Sequence, residues 1–230
     1  MSEFLQNCGS WGVIATLAAY ALGVLINRKT KLAIFNPLLM GSIFMIVFLR
    51  CFAIPYADYS TSAAPVNWLL GPATVSLAIP LYEKWDLLEK NVGAILAAIL
   101  AGVITSLGSV LIMAHLLKME YANAVTLLPK SVTTAIGMGI AETLGGTAAL
   151  AGAVIILTGI AGSLLAETVC KVCHITDPIA KGLALGTSAH AVGTSKALEM
   201  GEVEGAISGL AIAVAGVLTA VLAPVAATLL

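Results

Sequence analysis

The chain has 230 residues, of which 60% are hydrophobic and only 10% charged, with a net charge of −1 and a mean hydropathy of +1.03. Soluble domains carry roughly 45–50% apolar and about 25% charged residues, so the composition excludes a soluble globular protein and predicts an integral membrane one. A charge this near neutral gives nucleic acid no electrostatic hold; no nucleic-acid partner is expected, and the lipid bilayer is the solvent.

Eight apolar stretches follow one another, at about 11–27, 33–50, 66–82, 92–117, 122–142, 147–170, 179–198 and 205–229, separated by short polar breaks. Each is near the ~20 residues that cross ~30 Å of hydrocarbon as a helix. The head of the chain carries no Lys or Arg. It lacks the basic region of a cleaved signal peptide, and the first stretch is expected to remain as mature structure. Arg28, Lys29 and Lys31 mark the cytoplasmic side after that stretch. The longest polar break, CFAIPYADYSTSAAP at 51–65, has no basic residue and reads as external.

The third stretch, within NWLLGPATVSLAIPLY (67–82), holds Gly71, Pro72, Thr74, Ser76 and Pro80. Two prolines and a glycine in so short a segment predict a discontinuous helix or a re-entrant hairpin. The fourth stretch contains LAAILAGVIT (96–105) and the eighth LAIAVAGVLT (210–219), an offset of 114; Gly71 and Gly186 lie 115 apart. These matches point to two halves, 1–115 and 116–230, although Ala, Val, Leu and Gly dominate both segments and raise chance identity.

The fifth stretch carries the least expected residue. In TLLPKSVTTAIGMGIAETLGG (126–146), Lys130 follows Pro129 inside apolar sequence. As one straight helix the segment would put Lys130 about 12 Å from its nearer end, at a cost of ~2.5–3.5 kcal/mol on insertion scales, while Pro129 removes a helical hydrogen bond. The chain is therefore expected to break here, with Lys130 facing protein or water. Ser131, Thr133 and Thr134 would cap a new helix, and its N-terminal dipole together with the ammonium would make an anion site at membrane depth. The competing reading is that Lys130 marks the end of a shorter helix at the interface, with hydroxyls that only satisfy backbone.

GTSAHAVGTSK (186–196), in the seventh stretch, places His190 between Gly186 and Gly193. If the segment is helical, Thr187, His190 and Thr194 share a polar face by their spacing, with Ser188 adjacent. A lone membrane histidine is commonly a satisfied interhelical hydrogen-bonder; one flanked by glycines and hydroxyls is a candidate ligand or proton carrier. His190 is expected to share one water-filled cavity with Lys130, because two separate polar centres would each bear a desolvation cost. Glu142, Glu167 and Arg50 read as helix-end charges. CKVCH (170–174) has the spacing of a haem-attachment motif, but with no adjoining domain it reads as two buried thiols beside an interfacial histidine. No metal or cofactor is expected, nor an enzymatic residue set.

If all eight stretches cross, Arg28, Lys29, Lys31, Lys84, Lys90 and Lys196 lie inside, and Arg50, Lys118, Lys171 and Lys181 outside. If the third and seventh instead enter and return on one side, the inside set becomes Arg28, Lys29, Lys31, Lys118, Lys171, Lys181 and Lys196. The second arrangement follows the positive-inside rule better and makes the halves inverted. The fold expected is an all-α polytopic membrane protein of about eight segments in two four-segment inverted repeats, with broken or re-entrant helices at the repeat interface. The third and seventh stretches would approach each other and flank the 129–134 break.

LLGPATVSLAIPLY, LLPKSVTTAI and AHAVGTSKALEMGEVEGAISGLA together resemble the LrgB/CidB family of bacterial membrane proteins over nearly the whole chain. Two positions depart: Ala135 stands where the family often has a second proline, and Ser195 where it has alanine. The resemblance implies either a holin/antiholin-like protein affecting murein hydrolase release and lysis, or a transporter of pyruvate- or glycolate-like carboxylates, as in bacterial and plastid relatives. It also implies a multi-pass protein of the bacterial inner membrane working with a small LrgA/CidA-like membrane protein, and a homodimer is expected. The stretches are apolar nearly all round, with polarity gathered in three places. A wide pore would show amphipathic lining stretches, so a carboxylate transporter is the favoured expectation. Its substrate ligands would be Lys130, Ser131, Thr133, Thr134, Thr187, Ser188, His190, Thr194 and Thr74.

Overall fold

The computed structural model describes residues 9–30, 35, 37–69, 72, 79, 82 and 85–230. The described residues form helices and connections, without a strand, and the chain divides into two compact units, Met1–Ser76 and Leu77–Leu230. That division reflects compactness and does not bear on the half-chain sequence repeat.

In the first unit, α1 (Trp11–Thr30) and α2 (Pro37–Cys51) pack as an antiparallel pair: Gly23 lies against Pro37 and Met40, and Gly41 against Tyr20. The break expected as an external loop forms two short helices, α3 (Tyr56–Ser62) and α4 (Ala64–Trp68). Pro55 leads into the first of them in extended conformation. α3 returns to the start of α1, where the Tyr59 and Thr16 hydroxyls hydrogen-bond at 2.8 Å. Most of the third stretch, including Thr74, lies outside the described residues.

In the second unit, α5 (Trp85–Leu116), α8 (Ala148–Val172) and α10 (Glu202–Ala227) are long and apolar enough to span a bilayer, as is α1 in the first unit. The fifth stretch is not one helix. It forms α6 (Tyr121–Leu127) and α7 (Thr134–Thr143), joined through 128–133, where the sequence placed a break at 129–134. α7 folds back along this break: Gly137 sits against the Pro129 carbonyl, and Gly146, just past α7, against Thr126. The Thr126 hydroxyl accepts from the Thr147 amide at 2.9 Å and closes the open end of the hairpin.

The seventh stretch, α9 (Pro178–Met200), is also a hairpin. His190 breaks it with φ 42° and ψ −137°, a left-handed conformation that costs a residue bearing a Cβ of order 1–3 kcal/mol. Its first arm runs along α10, with Gly182 against Ile207 and Gly186 against Ser208 and Ala211. Its second arm runs back, with Thr194 bonded to Ser208 at 2.7 Å and Leu198 against Gly205. Lys181 and Met200, near opposite ends of the segment, consequently line the same cleft, whereas a straight helix would hold them about 28 Å apart. The reading of Thr187, His190 and Thr194 as one face of a continuous helix is thereby corrected, since the break lies at the middle residue.

A core of Ile95, Ile99, Val103 and Leu107 from α5, Val125 and Leu128 from α6 and its exit, and Ile207, Ala211 and Ala215 from α10 holds the unit together. Lys171, Lys181 and Lys196 gather at one end of it: the first two line one cleft, and Lys196 pairs at 2.8 Å with Glu167 of the same cleft. This grouping fits a seventh stretch that enters and returns on one side, but the count that also set Lys118 with these three is corrected: the fifth stretch folds back as well, so Lys118, just before α6, lies toward the other end of α8. The inverted relation between halves also needs the third stretch, and so is not established.

Candidate functional site

The two hairpins reach the middle of the unit from opposite ends of α8. The open end of α6–α7 adjoins Thr147, just before α8, and the open end of α9 adjoins Cys170 and Lys171 near its last turn. Both tips arrive at Ile155. Its side chain touches Gly137 of α7, and its carbonyl accepts a 2.8 Å hydrogen bond from His190 Nε2. Ile155 lies about 10 Å from one end of α8 and about 25 Å from the other, at ~1.5 Å per residue.

α5 closes the other side. Thr187, in the first arm of α9, packs on Gly102, and one turn further along α5 the Ser106 hydroxyl meets the α6–α7 break. Ser106 Oγ donates to Ser131 Oγ at 2.9 Å, and Lys130 Nζ donates to both hydroxyls at 3.3 Å. The Lys130 and Thr187 contacts are thus separated by about 6 Å along α5. Among the described residues no carboxylate pairs with Lys130. An ammonium has three donors, two of them used here. Because Ser131 accepts from both Ser106 and Lys130, its own hydroxyl proton is also available.

The other candidates fall into distinct places. Thr133 and Thr134 are half-buried. Thr133 precedes α7 in extended conformation, but its side chain makes no capping hydrogen bond, so the capping expectation is corrected. Here the first turn of α7 is fixed by packing against α8, where Thr134 approaches Gly152. Thr187 and Thr194 are buried, yet each hydroxyl bonds a carbonyl of its own segment, Leu183 and His190 respectively. Ser188 is exposed and bonds the Ala184 carbonyl at 2.6 Å.

His190 is 3% exposed and turns toward α8, while Lys130 turns toward α5. The tips are neighbours through Ile155 and through the Gly102–Ser106 turn, but the two side chains do not bond each other. Donation from Nε2 to a carbonyl fixes Nδ1 as the acceptor of the neutral ring. The ring fits because position 159 is glycine; a Cβ there would stand 2.7 Å from it.

Sequence reasoning missed Ser106. Its signal was the run of hydroxyls Thr105, Ser106 and Ser109 in the fourth stretch, where Ser109 is spent on the Ser106 carbonyl at 2.7 Å. Cys170 is buried but Cys173 is exposed, which corrects the reading of two buried thiols: Cys173 falls where α8 ends and the chain turns through His174 at φ 54°. Among the described residues no group of three or more His, Cys, Asp or Glu side chains is placed to hold a metal.

Long apolar helices, with two broken hairpins meeting around a half-buried polar centre, define a multi-pass α-helical membrane protein. Within that class the chain belongs to the LrgB-like family, whose model matches residues 16–229. It is 37% identical over 216 residues to the antiholin-like protein LrgB of Bacillus subtilis (strain 168), covering 94% of each chain. The antiholin-like LrgB proteins of Bacillus mycoides (strain KBAB4) and Bacillus cereus (strain B4264) are likewise 37% identical over 215 residues, 93% of this chain and 94% of theirs. No solved structure matches.

Proposed function

We propose that this protein is a membrane transporter of small monocarboxylates, pyruvate- or glycolate-like, that binds its substrate at the meeting point of the two hairpins. The observation that carries this reading is the Lys130 ammonium at 3.3 Å from two serine hydroxyls, with no carboxylate partner among the described residues. Lys130 is half-buried; a cation withdrawn even partly from water without a counterion is costly, and a substrate carboxylate would supply one. One carboxylate oxygen would take the third ammonium proton and the other the Ser131 hydroxyl proton. Such charge-assisted bonds are short and about twice as strong as neutral ones. Ser106 would hold Lys130 and Ser131 in register, Thr133, Thr134, Thr187 and Thr194 would shape the surrounding wall, and His190 would pin the opposing tip. Helical hairpins entering from opposite sides suit alternating access, because a shift of either tip against α5 and α8 would open the site to one side.

The reading is of a non-enzymatic inner-membrane protein, working as a homodimer with a small LrgA/CidA-like membrane protein. A second reading, a holin/antiholin-like protein modulating murein hydrolase export and lysis, is favoured by the antiholin-like names that the Bacillus relatives carry; the transport reading rests on the geometry. Proteoliposomes separate them. Saturable uptake of radiolabelled pyruvate or glycolate without release of a trapped large dye supports transport. Dye release, or no uptake of any small carboxylate by the protein reconstituted with and without its partner, returns the function to the lysis-related class.

A further inference from the structure

At the open end of the α9 hairpin, away from Lys130, the last turn of α8, both ends of α9 and the first turn of α10 enclose a cleft of about 450 Å³. Glu204 lines it and is only 8% exposed. Its carboxylate makes no hydrogen bond or ion pair with any described residue. Neither oxygen is sealed off without a partner; the carboxylate lies back against Gly201 at the start of α10, on the wall of the cleft. Lys181, half-buried on the first arm of α9, lines the same space. Its side chain is also without a partner among the described residues, and it does not approach Glu204 within 4.0 Å.

Two opposite charges that share a cleft and leave each other unpaired are what a ligand carrying both charges would bridge. Burying a carboxylate without a partner is unfavourable, and a ligand cation offsets this. The volume is that of a small-molecule pocket, far more than a bare ion fills, and Cys170, Ile175 and Met200 add apolar wall. The other charged groups nearby do not compete equally for the ligand. Glu167 is engaged by Lys196 at 2.8 Å and by Lys171 at 3.9 Å.

We propose that this cleft binds a small zwitterion with an apolar side group, a free α-amino acid, whose ammonium pairs with Glu204 and whose carboxylate pairs with Lys181. The site is separate from the Lys130 centre, since Lys181 lies about 14 Å along its arm from the tip at His190. A ligand here would tie both ends of α9 to α10. The inference does not depend on carboxylate transport.

The test is binding of radiolabelled L-leucine to the purified full-length protein in detergent, with competition by two fragments of the same molecule. 4-Methylpentanoate lacks the ammonium and 3-methylbutan-1-amine lacks the carboxylate. Leucine should displace the label at concentrations on the order of tenfold or more below either fragment, as the loss of one charge-assisted pair requires. Glu204→Gln and Lys181→Gln should each weaken binding by about the same factor, and Lys130→Gln should leave it unchanged. Size-exclusion profiles show which variants are folded; Lys181→Gln, on a half-exposed side chain, keeps the test open if Glu204→Gln is not. Absent leucine binding, equal competition by either fragment, or undiminished binding by a folded Glu204→Gln or Lys181→Gln protein would overturn the proposal.

Discussion

His190 Nε2 donates to the main-chain carbonyl of Ile155 at 2.8 Å, fastening the tip of one hairpin to the residue whose side chain touches the other. A carbonyl in mid-helix already accepts an amide within its own helix, and its second lone pair is free for such a bond. The bond is made where His190 itself holds a left-handed conformation, so the tertiary contact and the break in α9 support each other.

The fit of that ring predicts the first mutant. Gly159→Ala would place a Cβ 2.7 Å from the imidazole and 3.0 Å from Val192 Cβ, and overpacking of this kind costs ~1–3 kcal/mol. Thermal unfolding should show a midpoint lower by several degrees, at about 2–4 °C per kcal/mol for a chain of this size. His190→Ala combined with Gly159→Ala should recover part of the loss. A double mutant no better than the sum of the single ones would show that the imidazole is not what the methyl meets.

Lys130→Gln should raise the half-saturating concentration for carboxylate uptake by about 10–100-fold, the equivalent of ~1.5–3 kcal/mol for a bond to a charged group, with insertion unaffected. Lys130→Arg should restore part of the activity, because a guanidinium differs from an ammonium in shape and hydration. Normal uptake by a well-expressed Lys130→Gln protein would remove Lys130 from the site.

Ser106 touches both Lys130 and Ser131. Ser106→Ala should weaken substrate affinity by a few-fold up to about tenfold, as expected for ~0.5–1.5 kcal/mol. Combined with Lys130→Gln the losses should not add, since groups in one network couple by ~0.5–3 kcal/mol. Strict additivity in this double-mutant cycle would mean that Ser106 acts elsewhere.

The hairpins predict a labelling pattern. In a protein with its native cysteines replaced, cysteines at Thr176 and Glu199 should react with an impermeant thiol reagent from one side of the membrane. Those at Glu120 and Glu142 should react from the other. All four residues are exposed. Labelling of positions 176 and 199 from opposite sides would mean that α9 crosses the bilayer.

The sequence alone determined the class of protein and, in the fifth and seventh stretches, the places where its helices fail. Sixty per cent hydrophobic residues with so few charges leave only the bilayer as a solvent. Pro129 before Lys130 removes a hydrogen bond and adds a charge at one point, so the break there is a local consequence of two residues. Local chemistry also marked 186–196 as irregular but could not say which residue would leave the helix. Gly186 and Gly193 were the better candidates by propensity, yet His190 holds the left-handed angle, because its ring gains the Ile155 carbonyl and the space above Gly159. Only the tertiary structure brought Ser106 to Lys130 across 24 residues, turned Ser188 outward, and set the 121–147 hairpin tip to tip with the seventh stretch. The same holds for Glu204 and Lys181, ordinary helix-end charges in sequence, which share a cleft because the arms of α9 fold back onto the start of α10. Such pairings depend on which faces of distant helices meet, and in sequence this apolar those faces are nearly alike.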